Sequence, residues 1–441
     1  MANVLLTTRC NLSCDYCFAK EKMSGMPRQR MTVDDAAKVI DFLKRSDFGQ
    51  FRVMGGEPTL HPQFVDIVSL ALRAEMRVDV LSNATWREDC ADFFRRVPPA
   101  RLYFLLNIDH PANYHPKQWT RIRRNLEALP DRRNVTLSFN IFEKRPEYQY
   151  IFDLTTQYDI SMVRLSFSLP VLGVQNACLD IADYKAMAPF IMDFVRQAEN
   201  CGVQIQIDNA IPLCIFSHEQ IGRLVLDGVL DLQRNARCEP VIDIAPDLTV
   251  WCCFCLSKLQ NRKLDEFDDL QHLREYYRRM IRRLQNEFVP MDECVDCRYR
   301  DLWNCQGGCI TYAIRNHEDS AVDTCLADEQ VAFLDDGAVV ALAEDVDVQR
   351  YDIPSECYVL VRRASGLEIE LQNSVFERLV ALLDGEHTVR DIRANCFSSG
   401  NGQTDRETAA DNFARQIELE SADQLLAGLM RQGFLVERSA Y

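Results

Sequence analysis

Short runs of four to seven mostly apolar residues recur through positions 1 to about 215: Val4–Thr7, Phe51–Met54, Val78–Leu81, Leu102–Asn107, Thr136–Phe142 and Met162–Ser166. Between them lie stretches with apolar residues every third or fourth position, including Thr32–Phe48, Phe64–Glu75, Trp119–Leu129 and Glu147–Tyr158. The first periodicity predicts strands and the second predicts helices. Nearly continuous apolar strands alternating with amphipathic helices belong to a parallel sheet covered on both faces. Six βα units predict an α/β fold whose parallel, barrel-like sheet carries its site at the C-terminal strand ends. Thr32 is placed to cap its helix, with Asp34 and Asp35 in the first turn.

Positions 216–330 change character. Cysteines fall at 238, 252, 253, 255, 294, 297, 305, 309 and 325. Pro246-Asp247-Leu248-Thr249 reads as a hairpin turn leading into a strand that delivers Cys252. From Glu356 a third regime begins. Glu356–Arg362 and Leu367–Leu371 flank the turn Ala364-Ser365-Gly366. Asn373–Leu383 reads as a helix ended by Asp384-Gly385, Thr388 as the cap of a second, Ser421–Arg431 as the last, and Phe434–Glu437 as a closing strand. That order predicts a small winged helix. Residues 397–406 are rich in Ser, Gly and Asn and read as a loop. The expected domains are therefore 1–215, 216–330 and 331–441.

With 441 residues, 47% hydrophobic and 26% charged, the chain is long enough for two or three globular domains. No apolar run reaches transmembrane length, and the first residues lack a basic, then apolar signal; a cytoplasmic protein is expected. Net charge is −16, which disfavours nucleic acid. Residues 331–441 hold 20 Asp/Glu against 10 Arg and no Lys, an asymmetry that marks a separate module. Eighteen cysteines without a secretion signal point to metal ligation rather than disulfides.

The most specific cluster is Cys10-Asn11-Leu12-Ser13-Cys14-Asp15-Tyr16-Cys17, spaced C-x3-C-x2-C with an aromatic before the last cysteine. Three thiolates can hold three irons of a 4Fe–4S cube and leave one iron open, whereas electron-transfer clusters use four. A buried strand ending in Gly55-Gly56-Glu57-Pro58 follows at a distance of one helix. Its glycines permit close backbone approach and its proline fixes the exit. Zinc binding or a purely structural loop is the competing reading of the cysteines alone.

Together these residues resemble the radical S-adenosylmethionine (SAM) superfamily. The resemblance implies a partial (β/α)6 barrel, a 4Fe–4S cluster on Cys10, Cys14 and Cys17, SAM chelating the open iron, and reductive cleavage to a 5′-deoxyadenosyl radical. It further implies SAM contacts from Tyr16, Gly55, Gly56, Glu57, Pro58, Ser82, Asn83 and Asn107. Where relatives carry Ser-x-Asp-Gly, this chain has Asn107-Ile108-Asp109-His110.

The array Cys294-x2-Cys297, Cys305-Gln-Gly-Gly-Cys309 and Cys325 is similar to the SPASM extension of radical SAM peptide maturases. That extension holds two auxiliary 4Fe–4S clusters. By position Cys238, Cys252 and Cys309 would serve the first, with Cys255 or Cys253 as fourth ligand, or an open iron. Cys294, Cys297, Cys305 and Cys325 would serve the second. The chain departs from the family in Leu248, where a turn glycine is usual, and in the longer spacing from Cys297 to Cys305. Cys90, Cys178, Cys201, Cys214, Cys357 and Cys396 read as small buried residues; Cys214 is also a candidate hydrogen donor for an epimerisation.

Glu370–Asn373, Leu383-Asp384-Gly385, Thr388-Val389 and Gly433–Val436 are similar to the PqqD-like domain, which implies capture of a precursor peptide as an added strand. A DNA-binding winged helix and a structural cap are the competing readings. The function implied is radical modification, a cross-link or oxidation, of a ribosomally made peptide. A small-molecule or folded-protein substrate is the alternative, and an iron–sulfur regulator the reading from another class. Arg274, Arg278, Arg279, Arg282 and Arg283 lie on one broad helical face, suited to an acidic electron donor such as a flavodoxin or ferredoxin.

Overall fold

In the computed structural model, the described residues are 1–303, 305–315, 317, 319–327 and the segments 339–342, 346–351, 357–362, 367–372, 383–388 and 435–438. The chain divides into two compact units, Met1–Leu326 and Ala327–Tyr441.

The first unit is built on one sheet. Its strands are β1 (Ala2–Thr7), β2 (Gln50–Gly55), β3 (Arg77–Ser82), β4 (Leu102–Asn107), β5 (Val135–Ile141), β6 (Met162–Phe167), β7 (Gln204–Ile207), β8 (Ile242–Ile244), β9 (Thr249–Cys252) and β10 (Arg262–Lys263). Their order is β10-β9-β8-β1-β2-β3-β4-β5-β6-β7. Strands β1 to β7 run parallel to their neighbours, and β8 joins β1 in parallel on the other side. This parallel α/β sheet is consistent with a partial barrel, and all six strands expected before residue 170 form. Parallel pairing in sequence order brings every C-terminal strand end to one rim.

Helices return the chain between strands: α1 (Lys20–Ser24), α2 (Val33–Arg45), α3 (Phe64–Arg73), α4 (Glu88–Arg96), α5 (Pro116–Glu127), α6 (Gln149–Tyr158) and α7 (Ala188–Asn200). Thr32 caps α2 as its sequence position implies, its hydroxyl accepting from the Asp35 amide at 3.0 Å. One face of the sheet packs with these helices in a continuous core that includes Val4, Leu6, Val53, Val78 and Val80. Alternate side chains face the other way: Leu5, Met54 and Leu81 form a second apolar cluster with Trp251, Phe254, Ala19, Met23 and Cys17.

The cysteine-rich residues up to 326 belong to this same unit, because the hairpin β8–β9 extends the barrel sheet. Leu248 turns that hairpin at φ +64°, in the left-handed region that glycine adopts without cost and a leucine does not. The Asp247 carboxylate braces the turn by accepting from the Thr249 amide at 3.1 Å.

In the second unit, β12 (Val346–Tyr351), β13 (Cys357–Arg362) and β14 (Leu367–Gln372) form an antiparallel sheet, with the expected pairing of Arg362 and Leu367 across the 363–366 connection. A second sheet joins β11 (Val339–Leu342) to β15 (Asp384–Thr388) and β16 (Leu435–Arg438). Here the sequence reading is corrected. Asp384-Gly385 and Thr388, read as a helix stop and a helix cap, lie on a strand. Pairing with β11 overrides their turn propensity, and the register slips along β15, which carries Gly385. The helices expected at 373–382 and 421–431 and the loop at 397–406 lie outside the described residues.

Candidate active site and cysteine arrays

The C-x3-C-x2-C loop leaves β1 at the rim and is stitched to the end of β2. The Gly56 amide donates to the Thr7 carbonyl at 2.9 Å and the Glu57 amide to the Arg9 carbonyl at 2.7 Å. The approach needs glycine. A Cβ on Gly55 would fall inside the Thr7 carbonyl oxygen, and one on Gly56 would lie 2.7 Å from the Cys10 nitrogen and closer still to Arg9.

Cys10 is exposed and Cys14 and Cys17 are half-buried, so the loop is partly open to solvent. They lie within electrostatic reach of one another. Burial, then the Asp109 carboxylate, pushes Cys14 up to about 11; burial also raises Cys10, against amide donation from Leu12 at 3.4 Å. Three adjacent thiols, held on backbone and open on one side, suit a 4Fe–4S cube with one iron left for a ligand.

Glu57 does not point into this space. Its carboxylate is fully buried and accepts from the Ser82 hydroxyl at 2.9 Å, the Asn83 amide at 2.8 Å and the Thr59 amide and hydroxyl at 3.2 and 2.6 Å. Burial raises its pKa while these donors oppose the rise. The network continues outward. Asn83 Nδ2 donates to Asn11 Oδ1 at 3.1 Å and lies 3.9 Å from Cys10 Sγ, and Asn11 Nδ2 donates to Thr85 Oγ1 at 2.8 Å. Ala84, between them, is buried at φ +61°. Glu57, Ser82 and Asn83 thus come together beneath the cysteine loop, and Asn11, Thr85 and Ala84 join them unforeseen. The signal was present, since Ser82-Asn83-Ala84-Thr85 is a polar turn after a buried strand.

Tyr16 stacks on Phe142 with ring centroids 5.1 Å apart, and its carbonyl accepts from Ser168. Pro58 starts the short turn Pro58–Leu60 behind Glu57. Asn107 closes β4 and accepts from Asn140 at 3.4 Å. Asp109, two residues on, is held by its own loop: its amide donates to the Tyr114 hydroxyl at 2.7 Å.

A first array of thiols lies behind the loop. Cys238, Cys252, Cys253, Cys255 and Cys309 are drawn together from three segments. Thiol donation from Cys238 and Cys255 holds Cys309 low, and donation from Cys252 and Cys255 does the same for Cys253. Cys253 sits at φ +44°, directly after the end of β9. Cys252 is in β9, and with Val250 it belongs to the main core, whereas Trp251 between them faces the second cluster.

The array is tied to the cysteine loop. Phe18 packs on Phe254 at 5.2 Å, Lys22 donates to the Ser257 carbonyl at 2.7 Å, and the Leu172 amide donates to the Cys255 carbonyl at 3.1 Å. Cys17 packs against the cluster that holds Trp251 and Phe254.

A second array gathers Cys294, Cys297 and Cys305. Gly307 at φ +74° and Gly308 at φ +95° fold the chain tightly around it; a Cβ on Gly307 would lie 3.2 Å from Cys294 Sγ. Cys325 is half-buried on the helix Asp319–Ala327 and packs against the main core. Of the cysteines read as small buried residues, Cys90 fits, Cys178 and Cys214 are half-buried, and Cys201 is exposed at the end of α7, where its chain has left the apolar stripe. The side chains of Cys357 and Cys396 lie outside the described residues. On the helix Leu270–Glu287, Arg278 pairs with Glu239 and Glu275, and Arg279 with Glu275, so part of the basic face is neutralised within the protein.

Residues 4–139 match the radical SAM superfamily. The chain carries a radical SAM domain. A radical SAM domain implies a 4Fe–4S cluster and SAM, and the loop at Cys10, Cys14 and Cys17 has the donor set for that cluster. A GTP 3′,8-cyclase of Listeria welshimeri is 23% identical over 138 residues, 30% of this chain and 41% of that protein. The chain thus spans about two-fifths of the length of that curated relative. Among solved structures, native anSMEcpe with bound AdoMet and Kp18Cys peptide superposes with a TM-score of 0.53 at 18% identity, covering 74% of this chain and 96% of that one. Streptococcus suis SuiB gives a TM-score of 0.49 at 14% identity, covering 70% and 72%. The superposition on anSMEcpe shows a fold shared over 74% of this chain. No helix among the described residues is long and apolar enough to cross a membrane.

Proposed function

We propose that this radical SAM protein modifies a ribosomally made precursor peptide, forming a cross-link or oxidising a side chain. The observation that carries this reading is the pair of cysteine arrays packed into the same unit as the SAM domain. When bound, the clusters would supply one-electron chemistry: reduction of SAM to methionine and a 5′-deoxyadenosyl radical, and acceptance of the electron left after hydrogen abstraction.

The chain's own residues do the positioning. Cys10, Cys14 and Cys17 hold the cluster. Gly55 and Gly56 bring backbone up to it, where the methionine end of SAM would lie. Glu57, through Ser82, Asn83 and Asn11, fixes the loop's floor rather than touching SAM with its carboxylate. Tyr16, Pro58 and Asn107 frame the same opening. In the first array we assign Cys238, Cys253, Cys255 and Cys309 as ligands. Cys252, in β9 and beside Cys253 and Cys238, is the alternative to Cys253 or Cys255 in this set. The apolar cluster of Met23, Met54, Trp251 and Phe254 excludes water between loop and array.

In the second unit, β14 pairs only with β13 among the described residues. We assign a free sheet edge there to the leader of the peptide, added as a strand in PqqD-like fashion. A small-molecule substrate is the second reading, favoured by the resemblance to a GTP 3′,8-cyclase. Co-expression with candidate precursor peptides, followed by mass spectrometry, decides between them. A mass change that depends on Cys10, Cys14 and Cys17 supports the peptide reading. Turnover of a nucleotide with no peptide modified contradicts it.

A further inference from the structure

The inner face of the barrel carries a polar row beneath its apolar lining. Strand register sets Trp251, Asp243, Asn3, Arg52, Asp79 and Tyr103 side by side across β9, β8, β1, β2, β3 and β4. Partners in register share a face of the sheet. In each of these strands the residues flanking the row, such as Val4, Val53, Val80 and Val250, belong to the helix-packed core. The row itself therefore faces the barrel interior. Two positions nearer the rim, Leu5, Met54 and Leu81 face the same way and form the apolar cluster that reaches Cys17. The row lies about 7 Å deeper, the rise of two strand residues.

The row is incompletely paired, and its unpaired atoms adjoin one another. Trp251 Nε1, Asn3 Oδ1 and Arg52 Nε are buried and meet no protein partner. Trp251 is 1% exposed and Asn3 8%. Arg52 Nη1 lies 2.5 Å from the Met1 thioether sulfur, a weak acceptor. The carboxylates within electrostatic reach of Arg52 are engaged elsewhere. Asp79 accepts from Gln50 and from Arg77 Nε at 3.1 Å, Asp208 pairs with Arg164 at 3.0 Å, and Asp243 accepts from Asn3 Nδ2 at 2.8 Å. Burial, then the charge of Arg164, lowers the pKa of Arg52. Buried polar atoms without partners are rare, and an inward guanidinium without a carboxylate is costlier still.

We propose that this row is a substrate subsite for a carboxylate, with Arg52 as its charge partner and the Trp251 indole N–H as a second donor. A carboxylate supplies acceptors to both donors and neutralises the guanidinium, which a neutral group does not. The proposal rests on the reading that a peptide is modified, and it names the chemistry of the residue that enters the barrel: an Asp or Glu of the precursor. The methylene carbons of that residue would lie in the layer of Leu5, Met54 and Leu81, on the side of the cysteine loop. A free small-molecule carboxylate carries the same recognition chemistry, and the test separates the two sources.

The test uses the anaerobically reconstituted full chain with SAM, titrated calorimetrically. The probes are the capped pentapeptides Ac-Ala-Ala-X-Ala-Ala-NH2, with X as Glu, Gln or Lys, and free glutarate and inorganic phosphate. The Glu peptide should bind about tenfold more tightly than the Gln peptide, the effect of one charge-assisted hydrogen bond. Arg52→Met should abolish that preference, and Arg52→Lys, which keeps the charge, should retain part of it. The comparison of Glu with Gln on the parent protein stands even if Arg52→Met does not fold. Peptide binding that ignores X, or a Glu preference that survives in Arg52→Met, overturns the inference and leaves the peptide reading standing. Glutarate binding that requires Arg52, with no peptide bound, keeps the subsite and overturns the peptide reading. Phosphate bound more tightly than glutarate, or no probe bound at all, overturns the carboxylate assignment.

Discussion

Glu57 and Ser82 are joined by a buried hydrogen bond of 2.9 Å from the hydroxyl to the carboxylate, and this contact fastens the end of β2 to the end of β3 directly under the cysteine loop. The same carboxylate takes the Asn83 amide and both Thr59 donors. Replacing Glu57 by Ala strands several buried donors at once, each costing about 1–3 kcal/mol. Glu57→Ala should therefore destabilise the first unit by at least ~2 kcal/mol, and Glu57→Gln by clearly less. Urea unfolding of the cluster-free protein measures both. Equal stability of Glu57→Ala and the parent would contradict the network.

Gly56→Ala tests the approach of β2 to the loop. The added methyl cannot be accommodated without moving Arg9 or Cys10. The variant should fold, since the clash lies at the rim, but should hold the loop cluster poorly. The expected result is loss of about four irons on reconstitution and a severalfold loss of 5′-deoxyadenosine formation. Retention of both would show that the loop has room to shift.

Asp243 makes a pH-dependent contribution. Its carboxyl is buried on β8, accepts from Asn3 Nδ2 at 2.8 Å, and burial raises its pKa to about 8. The folded state thus binds a proton that the unfolded state has released above its ordinary value near 3.8. Its stabilising effect is complete below that value and is lost as pH rises through about 8. Asp243→Asn removes this dependence. The melting temperature of the variant should gain on the parent between pH 5 and 8.5, and a constant difference would contradict the assignment.

Native-state alkylation separates the two kinds of spare cysteine. Cys201 is exposed, whereas Cys90 is fully buried on α4 with its thiol pushed up to about 12 by burial. Iodoacetamide at pH 8 should modify Cys201 within minutes and Cys90 only after unfolding, as read by peptide mass spectrometry. Modification of native Cys90 would contradict the packing of α4.

The parallel strands were legible because burial on both faces leaves an apolar run, as in Val4–Leu6 and Leu102–Leu106. Strand β7 was not, since Gln204 and Gln206 interrupt a stretch of four residues. The cysteine loop and Gly-Gly-Glu-Pro were legible because each is local, and their juxtaposition followed from parallel topology. The inward turn of Glu57 was hidden, because its partners Ser82 and Asn83 come from another strand. Asp384–Thr388 misled because its Asp-Gly and Thr are turn residues by propensity, while their partner strand lies some forty residues away.

The most direct test of the central claim is reduction of the anaerobically reconstituted protein with dithionite in the presence of SAM, with iron counted and 5′-deoxyadenosine measured. The account predicts about twelve irons per chain and 5′-deoxyadenosine formed only when Cys10, Cys14 and Cys17 are intact. Iron-loaded protein that leaves SAM uncleaved, or a protein that takes up zinc in preference to iron, would contradict it.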